Sequence, residues 1–180
     1  MNTSTYKSLN RNTTTSDKLS FILNNILDFL KGIQQKGEEK ETKINLATKT
    51  NEVTNSSSLK GKKILVVDDN IMNRMVANVI LKEFDVLVSE ANDGEEAVNY
   101  LQNNSCDLIL MDLQMPILNG YEASEIIRHK LKLNIPIIAL TASDVEEEKK
   151  KCFEVGMNDY LFKPFNRDQF LQIIYKWLAI

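Results

Sequence analysis

Two adjacent carboxylates, Asp68 and Asp69, close the stretch KKILVVDDN at residues 62–70. Side by side they repel, and each gains when the other is protonated or a cation lies near. They could be a plain polar strand end or an acidic start to the next helix. The chemistry that uses both is a cation site. Further apolar runs end in equally reactive groups: DLILM (107–111) meets Asp112, IPIIAL (135–140) meets Thr141, and DYLF (159–162) meets Lys163 and Pro164. Clustered carboxylates repel unless a cation sits among them, and oxygen-only ligands select a hard ion. Mg2+ suits an open edge, because it keeps waters and binds through one or two carboxylates plus phosphate oxygens. A carboxylate can also act as a nucleophile and become an aspartyl phosphate. Metal and lysine would then stabilise the anionic phosphoryl group in flight. Asp112, alone on its strand and facing the acid pair and Lys163, is the candidate nucleophile.

Such a convergence needs a scaffold that brings strand ends together, and the pattern from Gly61 onward supplies one. KILVV (63–67), DVLVS (85–89), DLILM, IPIIAL and DYLF read as short strands. Between and after them, residues 71–84, 94–104, 120–130, 144–155 and 167–178 have helical spacing. Five apolar strands alternating with five helices predict a parallel sheet covered on both faces, with right-handed crossovers. In such a sheet ligands bind beyond the carboxyl ends of the strands. Those are the ends that carry the acids, the hydroxyl and the ammonium.

The rest of the chain narrows the alternatives. Its 180 residues suffice for one domain and an appendage, and 43% hydrophobic content supports a real core. A net charge of −3 with no basic stripe argues against nucleic acid. No long apolar run or secretory h-region appears, so the expectation is a cytoplasmic chain without membrane insertion. Cys106 and Cys152 fit neither a disulfide framework nor a metal motif. The single histidine, His129, falls on a helix of mixed polarity and is expected to face solvent. Residues 1–60 differ in kind. Twelve of the first twenty are Asn, Ser or Thr, which disfavours a packed core. Residues 19–33 carry an apolar helical stripe, and 36–60 read as a polar linker. A mostly disordered extension (1–60) with one short helix, followed by a domain at 61–180, is the expected organisation.

VVDDN, MDLQMPILNGYEA, ALTA and YLFKPF, in this order and at these separations, resemble the signatures of the receiver domain of two-component response regulators. The likeness covers roughly residues 62–178 and is greatest to receivers attached to hybrid histidine kinases. It implies a flavodoxin-like α/β/α sandwich of strand order 2-1-3-4-5. Asp112 would take phosphate from a phosphohistidine on a sensor histidine kinase or histidine phosphotransfer protein. Asp69 would bind Mg2+ (Mn2+ as a substitute) directly, Asp68 through water, and the Gln114 backbone carbonyl would be a further ligand. Lys163 would pair with Asp112 and then with the phosphoryl group, across a cis Lys163-Pro164 peptide. Thr141 would turn its hydroxyl onto the phosphate, Tyr160 would rotate into the vacated space, and the altered face would change protein contacts with a downstream partner. Such a domain promotes its own phosphorylation and slow dephosphorylation and is not otherwise an enzyme.

Several plainer readings compete. Thr141 alone is a β-branched strand residue, and Tyr160, Met72, Met75 and Met111 alone read as core. EEEKKK (146–151) reads as a solvated helix face. A receiver fragment of a hybrid kinase is the first alternative, and the chain's end after the last helix implies no C-terminal output domain. A Mg2+-dependent aspartyl phosphohydrolase would want a second acid two residues after its nucleophile, where Gln114 stands. A flavin module would want a Ser/Thr/Gly-rich loop after the first strand. The extension's helix or the Tyr160 face leaves a homodimer open.

Overall fold

Alternation of apolar runs with amphipathic stretches produces alternating strands and helices, as expected. The computed structural model describes residues 59–143 and 145–178. The expected helix at 19–33 and the linker lie outside the described residues. Strands β1 (Lys63–Val67), β2 (Leu87–Ala91), β3 (Leu108–Asp112), β4 (Ile137–Thr141) and β5 (Asp159–Phe162) are each followed by a helix. These are α1 (Ile71–Lys82), α2 (Gly94–Asn103), α3 (Gly120–Glu125), α4 (Glu146–Glu154) and α5 (Arg167–Leu178). The helix α3 winds on through a wider π turn at Ile126–Lys130. All strand pairs are parallel, in the order β2-β1-β3-β4-β5.

Strand alternation divides the core between two faces. Leu65, Val67, Ile109, Met111, Ile137 and Ala139 join Ala97, Leu101, Ala123, Ile127 and Cys152 from α2, α3 and α4 in one cluster. The intervening strand residues Ile64, Val66, Leu108, Leu110 and Ile138 are also fully or almost fully buried. That second face belongs to α1 and α5, which contribute buried Ala77, Ile80, Leu81, Phe170 and Ile174. Burial on both faces explains the near-continuous apolar runs of the inner strands. The edge strand β2 departs from it, with Leu87 exposed.

Boundaries move where the backbone has other partners. Asp85 takes a left-handed φ of 55° and its carbonyl accepts from Gly61, so β2 starts at Leu87 and not at 85. Pro136 lacks an N–H and the Ile135 carbonyl is taken by Arg128, so β4 starts at Ile137. Leu59, two residues before the expected boundary, is already fully buried. Met111 is core, but Met75 is 51% exposed, against expectation. It lies one helical turn from both Ile71 and Val79, and together they form an exposed apolar line along α1.

One guanidinium closes the amino ends of β4 and β5. Arg128 donates to the carbonyls of Gly156 (2.8 Å), Leu133 (2.7 Å) and Ile135 (2.8 Å), and to Asn158 Oδ1 (2.9 Å). Asn158 Oδ1 also accepts from the Ile137 amide.

Candidate functional site

At the β1–α1 corner the two acids part company. Asp68 is fully buried and Asp69 is exposed. Burying a carboxylate is costly unless its oxygens are satisfied. Asp68 Oδ1 accepts from the Asn70 amide (2.9 Å), Asn73 Nδ2 reaches both oxygens (3.0 Å each), and Lys163 Nζ reaches Oδ2 at 2.6 Å. Its backbone carbonyl accepts from Arg74 Nη1 at 2.7 Å, and Arg74 Nε is paired with Glu90. Asn70, not either acid, caps α1 by accepting from the Met72 amide. Asp68 is thereby locked, while Asp69 is left to meet an incoming group.

Asp112 ends β3, buried, with its Oδ2 2.9 Å from Lys163 Nζ. The Gln114 amide reaches its Oδ1 at 3.3 Å, and Gln114 itself is exposed. The loop after β3 returns so closely that a Cβ on Gly120 would collide with the Asp112 carbonyl oxygen. Only glycine permits that approach. The Gly120 amide donates to Leu113 O at 3.2 Å, and Asn119 with Glu122 forms a capping box that starts α3. Burial pushes the Asp112 carboxyl above the ordinary carboxylate range; Lys163 pulls it back and Asp68 adds to the rise. The Lys163-Pro164 peptide is cis.

Asp68, Asp69 and Asp112 offer oxygens that lie within 4.8 Å of one another. Two unit charges at such a distance repel by on the order of 3 kcal/mol at an effective dielectric near 20. Lys163 brings one ammonium to two of the three carboxylates, those of Asp68 and Asp112. The oxygen-only donor set and the surplus of negative charge fit a hard divalent cation.

Thr141 ends β4, buried, and Tyr160 sits on β5, partly buried and packed against the core. Thr141 Oγ1 donates to Glu148 Oε2 at 3.1 Å and accepts from the Ser143 amide at 3.0 Å. Tyr160 packs against Phe162 (ring centroids 5.1 Å apart) and Phe153 (6.2 Å). Lys149 Nζ lies 5.3 Å from the centre of the Tyr160 ring. The EEEKKK run therefore is not uniformly solvated. Glu146 and Glu147 are exposed, whereas Glu148 and Lys149 turn toward the sheet. Along the helix, Glu146 pairs with Lys149 and Lys150 with Glu154. His129, on the π turn that continues α3, is exposed, as expected.

All the strand-end residues named from sequence thus fall on one edge of the sheet. Sequence reasoning misses Asn73, Arg74 and Glu148, which hold them. The available signal for the first two is a polar pair, NR, one turn after the acids on a mostly apolar helix.

Residues 64–175 match the family described as the response regulator receiver domain. The chain is 36% identical over 127 residues to the sensor protein GacS of Pseudomonas syringae pv. syringae, covering 68% of this chain and 14% of that protein. The receiver domain of a sensor histidine kinase from Pseudomonas aeruginosa PAO1 superposes with a TM-score of 0.61 at 38% identity. That match covers 67% of this chain and 99% of the other, whose structure has a magnesium ion coordinated in the active-site cleft. A receiver domain from Saccharomyces cerevisiae matches with a TM-score of 0.64 at 34% identity, over 67% of this chain and 91% of that one. It was solved in complex with a histidine phosphotransfer signaling protein and is part of that protein's downstream response regulator.

Proposed function

The chain belongs to the response regulator receiver domain family, and from that premise we propose that it is a phosphorelay acceptor whose phosphorylated residue is Asp112. The observation that carries this is the meeting of Asp68, Asp69 and Asp112 within 4.8 Å, with Lys163 Nζ 2.9 Å from Asp112. A carboxylate oxygen of Asp112 attacks the phosphorus of a phosphohistidine. The new O–P bond forms as the P–N bond breaks, and the imidazole leaves with the electron pair of that bond and takes up a proton. Lys163 keeps Asp112 aimed and then follows charge onto the phosphoryl oxygens. Asp69, Asp112 and the Gln114 carbonyl would hold Mg2+ or Mn2+, with Asp68 behind them through water. When bound, the ion supplies neutralisation of the phosphoryl oxygens.

Thr141 then donates its hydroxyl to the phosphoryl group and Tyr160 turns inward, which alters the α4–β5–α5 face for a downstream protein. The phosphodonor, a histidine kinase or phosphotransfer protein, docks along the exposed line of Ile71, Met75 and Val79, which runs from the rim of the site. Residues 1–60 serve as an extension to a domain at 61–180. No helix among the described residues is long and apolar enough to cross a membrane, and the proposed setting is the cytoplasm. A second reading, the receiver portion of a hybrid sensor kinase, is favoured by the likeness to GacS, of which the chain spans only a small part.

Incubation with a small acyl phosphate and Mg2+ tests the proposal. Wild type should gain one hydroxylamine-labile phosphate and Asp112→Asn none. Equal phosphate on the variant would overturn the assignment.

A further inference from the structure

Glu148 has no part in the mechanism above, yet its carboxylate occupies the one donor that the mechanism asks of Thr141. A threonine hydroxyl carries a single proton. Here that proton goes to Glu148 Oε2 at 3.1 Å; the other nearby acceptor, Ser143 O, is farther away at 3.4 Å. The hydroxyl's acceptor side is used by the Ser143 amide. A phosphoryl oxygen is acceptor-only, so Thr141 cannot serve it without giving up Glu148. Of the three consecutive glutamates, Glu148 alone turns inward, on the first turn of α4. The next residue, Lys149, lies over the Tyr160 and Phe162 rings at 5.3 and 5.2 Å. Two neighbouring positions of one helix thus hold both residues of the proposed switch.

We propose that Glu148 is a positioning residue that keeps the Thr141 hydroxyl turned to α4 in the resting chain and sets how readily the phosphorylated state forms. The inference rests on the reading of Thr141 as a phosphoryl-binding residue. When the hydroxyl leaves, the Glu148 carboxylate is released at the start of α4, so phosphorylation also changes the charge presented by that helix.

Full-length chain, saturating Mg2+ and acetyl phosphate provide the test, read as the acetyl phosphate concentration giving half-maximal phosphorylation. A charge-assisted hydrogen bond at a half-exposed position is worth a factor of about three to ten, so Glu148→Ala should lower that concentration by this factor. Glu148→Gln, which keeps an acceptor, should fall between the two. Glu147→Ala removes the same charge from the same turn without touching Thr141 and should match wild type. In a Thr141→Ala background Glu148→Ala should have no further effect. A Glu148→Ala effect equal to that of Glu147→Ala, or one that persists in the Thr141→Ala background, would overturn the inference while leaving Asp112 as the acceptor. Phosphate on Asp112→Asn would instead remove the reading on which it rests.

Discussion

The two edges of the sheet are built on opposite terms. At the amino edge, before β4 and β5, Arg128 and Asn158 tie the carbonyls and amide they meet into one network. At the carboxyl edge three acids meet, two of them on one ammonium and the third exposed, and a hydroxyl is tied by a side chain from the neighbouring helix. One edge is satisfied within the fold, and the other keeps a surplus of negative charge. Stability and reactivity are therefore separable by edge, and substitutions can test that separation.

The largest expected effect is on chemistry alone. Asp112→Asn should abolish phosphorylation and leave cooperative unfolding intact; a variant that fails to fold would show that the carboxyl edge is structural as well. Arg128→Met should do the reverse. Four acceptors lose a cationic donor, at a cost of about 3 kcal/mol in denaturant unfolding, while Mg2+-dependent phosphorylation persists at temperatures where the variant is folded. Loss of phosphorylation in the folded variant would break the contrast.

Gly120→Ala should blur it, because the new Cβ would strike the Asp112 carbonyl. Overpacking of this kind costs about 1–3 kcal/mol, and phosphorylation should slow because the proposed acceptor, Asp112, is displaced. A smaller effect is expected at Asp159, the first residue of β5. Burial raises its carboxyl, but donors from Lys176 (2.6 Å), Trp177 (3.0 Å) and the Tyr160 amide outweigh it and hold the carboxyl below its usual range. A depressed folded-state pKa gives stability that is present above the unfolded pKa and lost as pH falls through the folded one. Asp159→Asn should therefore unfold at lower denaturant at pH 7, with the gap to wild type closing below about pH 4. A gap independent of pH would mean packing, not charge, is at work. The smallest effect is a gain. Ile117, 76% exposed, holds a φ of 67°. Ile117→Gly removes a strain of about 1 kcal/mol, and its unfolding midpoint should rise.

Which parts can be read from sequence follows from how far each signal reaches. Asp68, Asp69, Asp112, Thr141 and Lys163 can be placed because a parallel sheet sorts strand ends onto one edge, whatever the loops do. The residues that grip them cannot. Arg74 meets Glu90 across an α1–β2 contact, and Glu148 meets Thr141 across a loop, and periodicity contains neither pairing. Sequence misplaces the start of β2 because Asp85 looks like the polar head of an apolar run, whereas its backbone belongs to a left-handed turn. Periodicity reads faces, so it also misses the π turn in α3, where the hydrogen-bond spacing changes and the apolar stripe does not. Met75 shows the converse: an apolar residue in register with a helix still faces solvent when its stripe is wider than the sheet can cover.

The approach of Gly120 to Asp112 has one more consequence. Its amide closes onto Leu113, and Leu118 O accepts from the Gly94 amide at the start of α2. Residues 113–120 therefore form a ring of fixed circumference, anchored beside Asp112 and pinned to a second helix. Its rim at Pro116 and Ile117 is exposed, so letters there can change freely while length cannot. Inserting a single residue should be more damaging than replacing either rim residue, a tolerance opposite to that of ordinary surface loops.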